Sequence, residues 1–183
     1  MIIGLTGSYG AGKDTIANYL KQKGFIYHSL SDILRDELTK LGKPITRENL
    51  INMGNEIRTK FGAAELALRT VSKIKGNSED KALVLSIRNP DEVKALRGFQ
   101  NFQMWFVDAP QKIRYERTVK RGRSDDFSSY EDFVTKEKKE NSFDPNAQQL
   151  NVVAKMADVT IVNDGTLEDL KRKVEELYLK FND

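Results

Sequence analysis

Residues 4–15 read GLTGSYGAGKDT. Gly7, Ser8, Tyr9, Gly10, Ala11, Gly12 and Lys13 fill the first seven positions of G-x-x-x-x-G-K-[ST], and Asp14 stands in the eighth, where a hydroxyl is the rule. Glycines let a backbone curl until several N–H groups point at one anion. A helix starting near Lys13 adds its positive N-terminal end. Lys13 itself adds a point charge for the β- and γ-phosphates of a nucleotide. The flanks agree with this reading. An apolar run, residues 1–6, precedes the loop, and Ile16, Ala17 and Leu20 give the next segment one apolar helical face. Nucleotide phosphate binding is therefore expected here, against the alternative of a glycine-rich turn without a ligand.

Asp14 bears on metal binding. The usual hydroxyl at this slot ligates Mg²⁺. A carboxylate is also a hard oxygen ligand, and it brings a charge. At a helix N-terminus a carboxylate is favourable with no metal at all, so a metal ligand and a helix cap both stand as readings. Thr15 keeps a hydroxyl one position on, in reach of an α-phosphate.

Working outward, four more apolar runs are strand candidates: residues 25–28, 82–87, 102–108 and 159–162. Helical patterns separate them, an alternation that argues for a parallel sheet with helices on both faces. The runs ALVL and VTIV suit strands covered on two sides. Asn89-Pro90-Asp91-Glu92 predicts a helix start, with a cap, a first-turn proline and two acids facing the dipole. Thr166 and Asp169 resemble a capping box. After them, Leu167, Leu170, Val174, Leu177, Tyr178 and Phe181 share one helical face. Residues 31–75 form a long helical stretch broken at Gly42-Lys43-Pro44, and residues 121–149 form a polar one; both read as insertions in a single domain, 1–183, and as candidate moving parts. The lysine-rich run at 136–139 reads as a solvated helix face.

Bulk properties exclude other chemistries. The 183 residues are 39% hydrophobic and 31% charged, with a net charge of +3, an ordinary globular balance that does not argue for a nucleic-acid partner. With no cysteine there is no disulfide, zinc–thiolate site or thiol nucleophile. The apolar start is too short for a signal peptide or a membrane span. A cytoplasmic protein is expected, and a monomer, since no hydrophobic stripe demands a partner.

The residues resemble P-loop small-molecule kinases, specifically the nucleoside monophosphate kinases and the related dephospho-CoA kinases, over nearly the whole chain. GLTGSYGAGKDTIANYL looks like the opening of either. The lysine–aspartate pairing is similar to some phage deoxynucleotide kinases and to phosphomevalonate kinases. FVDAPQKIRYERTVKRGRSDD and ADVTIVNDGTLEDL resemble the fourth strand, arginine helix and adenine loop of dephospho-CoA kinases, and equally those of an archaeal adenylate-kinase-related family. The resemblance implies a three-layer α/β/α P-loop kinase fold with a five-stranded parallel sheet. It also implies a helical acceptor-binding insertion at 31–75, a small lid at 121–149, and ATP and Mg²⁺ as cofactors.

The acceptor region separates the two kinases. Dephospho-CoA kinases carry an acidic D-x-D after the second strand, where the first carboxylate takes a hydroxyl proton. Here Ser29-Leu30-Ser31 stand at that place. Asp32-Ile33-Leu34-Arg35 then resembles the G-D-M-L-R segment of adenylate kinases, whose arginine grips the acceptor phosphate. An acceptor that attacks through a phosphate oxygen needs no base; it needs cations that screen two anions. The resemblance thus favours a phosphate acceptor, held by Arg35 with Asp32 orienting the loop nearby.

Arg114, Arg117 and Arg121 share a helix face, and Arg123 follows. Arg117 and Arg121 have the spacing of the adenylate-kinase pair, one arginine near the adenine and one on the transferring phosphate. A planar guanidinium suits that role, and the alternative is a solvated face paired with Glu116 or Asp125. Arg88, just past the third strand, resembles the arginine that contacts both phosphates, at the carboxyl end of a sheet strand where ligands bind. Arg58 is either a further acceptor ligand or a surface charge. Asn163 and Gly165 resemble the adenine-contacting loop, and a turn with a helix cap explains them as well. The third strand ends Val84-Leu85-Ser86, without the aspartate that holds Mg²⁺ through water in these kinases, so Asp14 is a candidate to supply the missing carboxylate. His28 reads as a packed or polar-bonded residue and Trp105 as core. Asp108 either turns the chain or contacts the loop. The sequence thus points to an ATP-dependent monophosphate kinase, with a dephospho-CoA kinase and a nucleotide-binding regulatory protein as alternatives.

Overall fold

The computed structural model describes residues 1–122 and 127–182. β1 (Ile2–Gly7) is buried at every position because it has a strand on each side and a helical layer on each face. Five parallel strands run in the order β2 (Ile26–Ser29), β3 (Ala82–Leu85), β1, β4 (Phe102–Asp108), β5 (Val159–Val162). Gly4 lies level with Val84 on one side and Met104 on the other. The chain leaves β1 between two strands that belong to opposite halves of the sheet, so a crevice opens beyond its carboxyl end. The phosphate loop occupies that place.

Two cores cover the faces. One packs Leu34, Leu38, Ile57, Leu66 and Ile74 against the sheet, from α2 (Leu30–Lys40), α3 (Arg47–Phe61) and α4 (Glu65–Gly76). The other packs Ile16 and Leu20 of α1 (Lys13–Gln22) with Trp105 and with Leu170 and Val174 of α9 (Leu167–Asn182). The fold is the expected α/β P-loop kinase type.

The five strand runs appear where the apolar pattern put them, with three differences of detail. β3 stops at Leu85 because Ser86 takes a left-handed backbone, φ 64°. VTIV is not covered on two sides: only Ile161 is buried, since β5 is the sheet edge. Leu167 leaves the apolar face of α9 and is 48% exposed, while Leu177, Tyr178 and Phe181 pack on the core. The 31–75 stretch breaks twice, at 41–46 and again at Gly62, whose φ of 104° is a backbone that glycine adopts at little cost. Both expected caps form. Asn89 and Glu92 make a reciprocal box at α5 (Pro90–Leu96), and Thr166 and Asp169 exchange bonds at the start of α9. His28 is polar-bonded, 2.6 Å from the Glu79 carboxylate, and Trp105 is fully buried core. Among the described residues no helix is long and apolar enough to cross a membrane.

Candidate functional site

The loop after β1 is built from contacts that only glycine allows. A Cβ on Gly7 would lie 2.0 Å from the Val107 carbonyl oxygen, so the loop is pressed directly onto β4. Gly12 has φ 102°, and a Cβ there would meet the Asn163 amide at 2.5 Å. That amide is buried and donates to the Ala11 carbonyl at 2.9 Å. The Asn163 N–H donates to Asp108 O at 2.7 Å. Asn163 therefore braces the phosphate loop from behind. Arg117 of α6 (Gln111–Arg121) donates to the Asn163 and Gly165 carbonyls at 2.9 and 3.5 Å.

Lys13 curls over the loop and donates to the Gly7 and Ser8 carbonyls, both at 2.8 Å. The residue as a whole is partly exposed, but its ammonium end is enclosed. Burial, helped by repulsion from Arg88, pushes its pKa down to about 7, and attraction to Glu140 and Asp14 only partly opposes this. A polyphosphate arriving here meets a lysine that gains its full charge from the ligand.

Two cavities meet at this point. One, of 370 Å³, is bounded by the loop from Tyr9 to Thr15 and by Arg88, Arg117 and Arg121. The other, of 310 Å³, lies between α2, α3 and the β3–α5 loop, with Arg35, Arg47, Arg58, Arg88, Ser86 and Glu140 on its walls. Tyr9 and Arg88 line both. The Tyr9 ring faces the Arg47 guanidinium at 4.9 Å and that of Arg121 at 5.3 Å, and its hydroxyl accepts from Arg121 at 3.0 Å. Edge-to-face contacts with Phe127 and Phe133 tie the same ring to the neighbourhood of α7 (Tyr130–Lys138).

The residues expected from sequence divide into groups. From the loop, Tyr9, Gly10, Gly12, Lys13, Asp14 and Thr15 line the first cavity with Arg117, Arg121 and Arg88, while Gly7, Ser8 and Ala11 do not; Arg35, Arg58 and Arg88 share the second. Asn163 and Gly165 stand behind the loop and meet Arg117. Arg58 is no surface charge. It is 3% exposed and gives two hydrogen bonds, at 3.0 and 2.9 Å, to the fully buried Glu92. Glu92 also accepts from the Arg88 and Asn89 N–H groups, so Arg58 holds the backbone that carries Arg88. Arg35 is exposed and pairs with Asp32 one turn back at 2.7 Å. Asp32 lines neither of the two cavities; it faces a separate depression with His28 and Lys73. Its link to the second cavity is the pair with Arg35.

Arg114 departs from a solvated face as well. It is buried, donates to the Ala109 and Tyr9 carbonyls at 2.8 and 3.1 Å, and pairs with Glu137. It thus pins α6 to the phosphate loop and α7. Asp108 lies 3.4 Å from the same guanidinium, so it joins the loop network. Arg123 and Asp125 lie outside the described residues.

Two site residues escape a reading of the sequence. Arg47 follows Thr46, whose hydroxyl caps α3 by accepting from Asn49 N–H at 3.1 Å, and the arginine looks like part of a routine helix start. Glu140 ends a lysine-rich run that reads as solvent-facing, yet it is 4% exposed and accepts from Arg47 at 3.0 Å across 93 residues of sequence. A second acid closing the run Lys136-Glu137-Lys138-Lys139-Glu140 carries no local sign of burial.

Asp14 is exposed on the first turn of α1, beside Lys13 and Thr15 on the cavity wall. One such carboxylate with a neighbouring hydroxyl fits a hydrated Mg²⁺ whose other ligands are substrate phosphates. No cluster of three potential metal-ligating side chains occurs among the described residues, so a protein-only cage is not what this site offers.

Comparison with known proteins agrees with this architecture. The AAA domain family matches residues 3–142. The chain is 33% identical to a UPF0200 protein of Pyrococcus horikoshii, covering 98% of this chain and 97% of the relative, and 34% identical to one of Pyrococcus abyssi, covering 98% and 96%. Among solved structures, the Thermus thermophilus protein TT1252 superposes with a TM-score of 0.58 at 23% identity, over 98% of this chain and 97% of that one. Shikimate kinase from Aquifex aeolicus gives 0.54 at 15% identity, over 100% and 98%. These structures share the fold. By family match and by identity to these relatives along their whole length, the chain belongs to the AAA domain family and to the UPF0200 proteins.

Proposed function

We propose that this chain transfers the γ-phosphoryl group of ATP to a small acceptor that carries its own phosphate. The observation that carries the reading is the pair of cavities that meet at Tyr9 and Arg88, one walled by the phosphate loop and the other by arginines. Lys13 and the loop N–H groups hold the donor, and Arg117 and Arg121 border it. Arg88, Arg47 and Arg35 face the acceptor, while Asp32 orients Arg35. Mg²⁺ at Asp14 would neutralise donor phosphate charge. Fixed cations and amide dipoles then bring two anions together with no reorganisation at the moment of transfer. Helices α2 and α3 and the segment around Glu140 line the acceptor side, and closure of the two insertions over the junction would exclude water, a competing acceptor. The likeness to shikimate kinases supports a fold suited to small-molecule phosphoryl transfer. The reaction needs no nucleic-acid, membrane or protein partner.

The sequence favours a monophosphate kinase, with an NMP or dNMP accepting through its phosphate. One observation favours a second reading, transfer to a hydroxyl as in a dephospho-CoA kinase: a buried carboxylate, Glu140, stands on the acceptor wall. The test is an ADP-release assay with ATP, Mg²⁺ and a panel of NMPs, dNMPs and dephospho-CoA. Turnover should depend on one acceptor and exceed ATP hydrolysis alone. Tight ATP binding with no acceptor-dependent turnover across the panel would instead mark a nucleotide-binding regulatory protein.

A further inference from the structure

We infer that Glu140 is a catalytic residue that takes the proton from an acceptor hydroxyl, so that the atom attacking the γ-phosphorus of ATP is an alcohol oxygen and not a phosphate oxygen. The inference rests on the reading of the second cavity as the acceptor site. Glu140 is 4% exposed and lines that cavity. One carboxylate oxygen, Oε1, accepts from Arg47 at 3.0 Å. The other, Oε2, lies 3.7 Å from Arg88 Nη1, and both of these atoms are buried without a hydrogen-bond partner among the described residues. These opposite charges face each other too far apart to hydrogen-bond, and a polar group placed between them can satisfy both. A hydroxyl satisfies both at once: its proton goes to Oε2 and its oxygen accepts from Nη1.

A phosphate does not. It would satisfy Arg88 but bring two negative charges against a carboxylate with no proton to share. Arg47 holds Glu140 in place from α3, and Arg88 borders the donor cavity as well. A hydroxyl seated between Arg88 and Glu140 therefore sits at the junction with Lys13. Glu140 also contributes to the field at Lys13. The step balances: the acceptor O–H proton passes to Glu140, the acceptor oxygen bonds to the γ-phosphorus, and the bond from that phosphorus to the β–γ bridging oxygen breaks with its electron pair on ADP. Glu140 then returns the proton to solvent. The acceptor class is a phosphate-bearing alcohol, its anionic group reaching Arg35 while its hydroxyl meets Glu140.

Product mapping by ³¹P NMR with the wild-type protein tests this without any variant. The probes are ATP, Mg²⁺ and either dephospho-CoA or each NMP. A new phosphomonoester on a sugar hydroxyl supports the inference. A new diphosphate overturns it while leaving phosphoryl transfer to a monophosphate intact. No product with any probe defeats the proposed function, and the inference with it. Where a monoester forms, Glu140→Gln keeps the Arg47 contact and removes the proton acceptor. It should lower kcat by about 100-fold or more while KM for the acceptor moves by less than about threefold. An unchanged kcat in E140Q overturns the assignment.

Discussion

Lys13 makes the strongest prediction at the scale of single residues. Its folded pKa of about 7 lies below the ordinary lysine value of 10.5 because burial and Arg88 disfavour the charge. At pH 8 most molecules without ligand therefore hold it neutral, and a bound triphosphate, which favours the ammonium, must draw a proton from solvent. Calorimetry of ATP binding at pH 8 in two buffers of different ionisation enthalpy should show that uptake; identical heats would contradict it. The same shift acts on stability with the opposite sense to a lysine held in a salt bridge. Between about pH 7 and 10.5 the unfolded chain binds this proton and the folded one does not, so this group makes the fold more stable as pH rises through that window. Arg58 and Arg35 make a second contrast. Arg58→Ala leaves Glu92 charged and buried, and should cost about 3–5 kcal/mol, read as a fall in Tm of about 10 °C. Arg35→Ala breaks only an exposed pair with Asp32, worth less than about 1 kcal/mol. It should leave Tm alone and raise KM for the acceptor. Equal thermal effects would refute the separation of structural from acceptor arginines.

At the scale of elements, the segment after α7 is tied down at both ends of its loop. Gln149 N–H donates to the Arg88 carbonyl at 2.8 Å, and the buried Asn89 side chain donates to the Pro145 and Ala147 carbonyls at 2.6 and 3.0 Å. Asn89 also caps α5. One side chain thus joins a helix start, the loop bearing Arg88 and the turn that follows Glu140. Asn89→Ala should cost about 1–2 kcal/mol. Its hydrogen exchange should speed up selectively at residues 141–149, with β1 and β4 unaffected. Uniform acceleration along the chain would mean that the turn is not a local unit. Much of this element was readable in advance: Asn89-Pro90-Asp91-Glu92 announces its helix by local chemistry. Its second duty, holding a turn 56 residues on, leaves no trace in the local pattern.

Across the whole molecule, the two cavities lie where the loop, α2, α3, α6 and the segment around Glu140 converge. A ligand that binds only the folded state raises its stability by RT ln(1 + [L]/Kd), about 2.7 kcal/mol at a hundredfold excess over Kd. For a chain of this size that is about 5–10 °C in Tm. ATP with Mg²⁺ should produce such a shift, and Lys13→Ala should abolish it. A K13A protein that kept the full ATP shift would place nucleotide binding elsewhere.

Local chemistry was enough for the parallel sheet, its five strands, the helix caps and the phosphate loop, because each depends on neighbours a few residues apart: apolar runs, glycine spacing, a proline after a cap. Lys13, Arg117 and Arg121 were legible for the same reason, through motif and helical periodicity. Partner choice among charges was not. Arg58 and Arg35 look alike in sequence, and folding buries one against Glu92 while leaving the other in solvent. Arg47 and Glu140 are a routine helix start and the end of a solvated run until the chain closes and brings them together, as a long-range ion pair carries no periodic signature. The sequence thus determined where a phosphate-gripping loop would form; only the tertiary structure decided which carboxylate lines the cavity beside it.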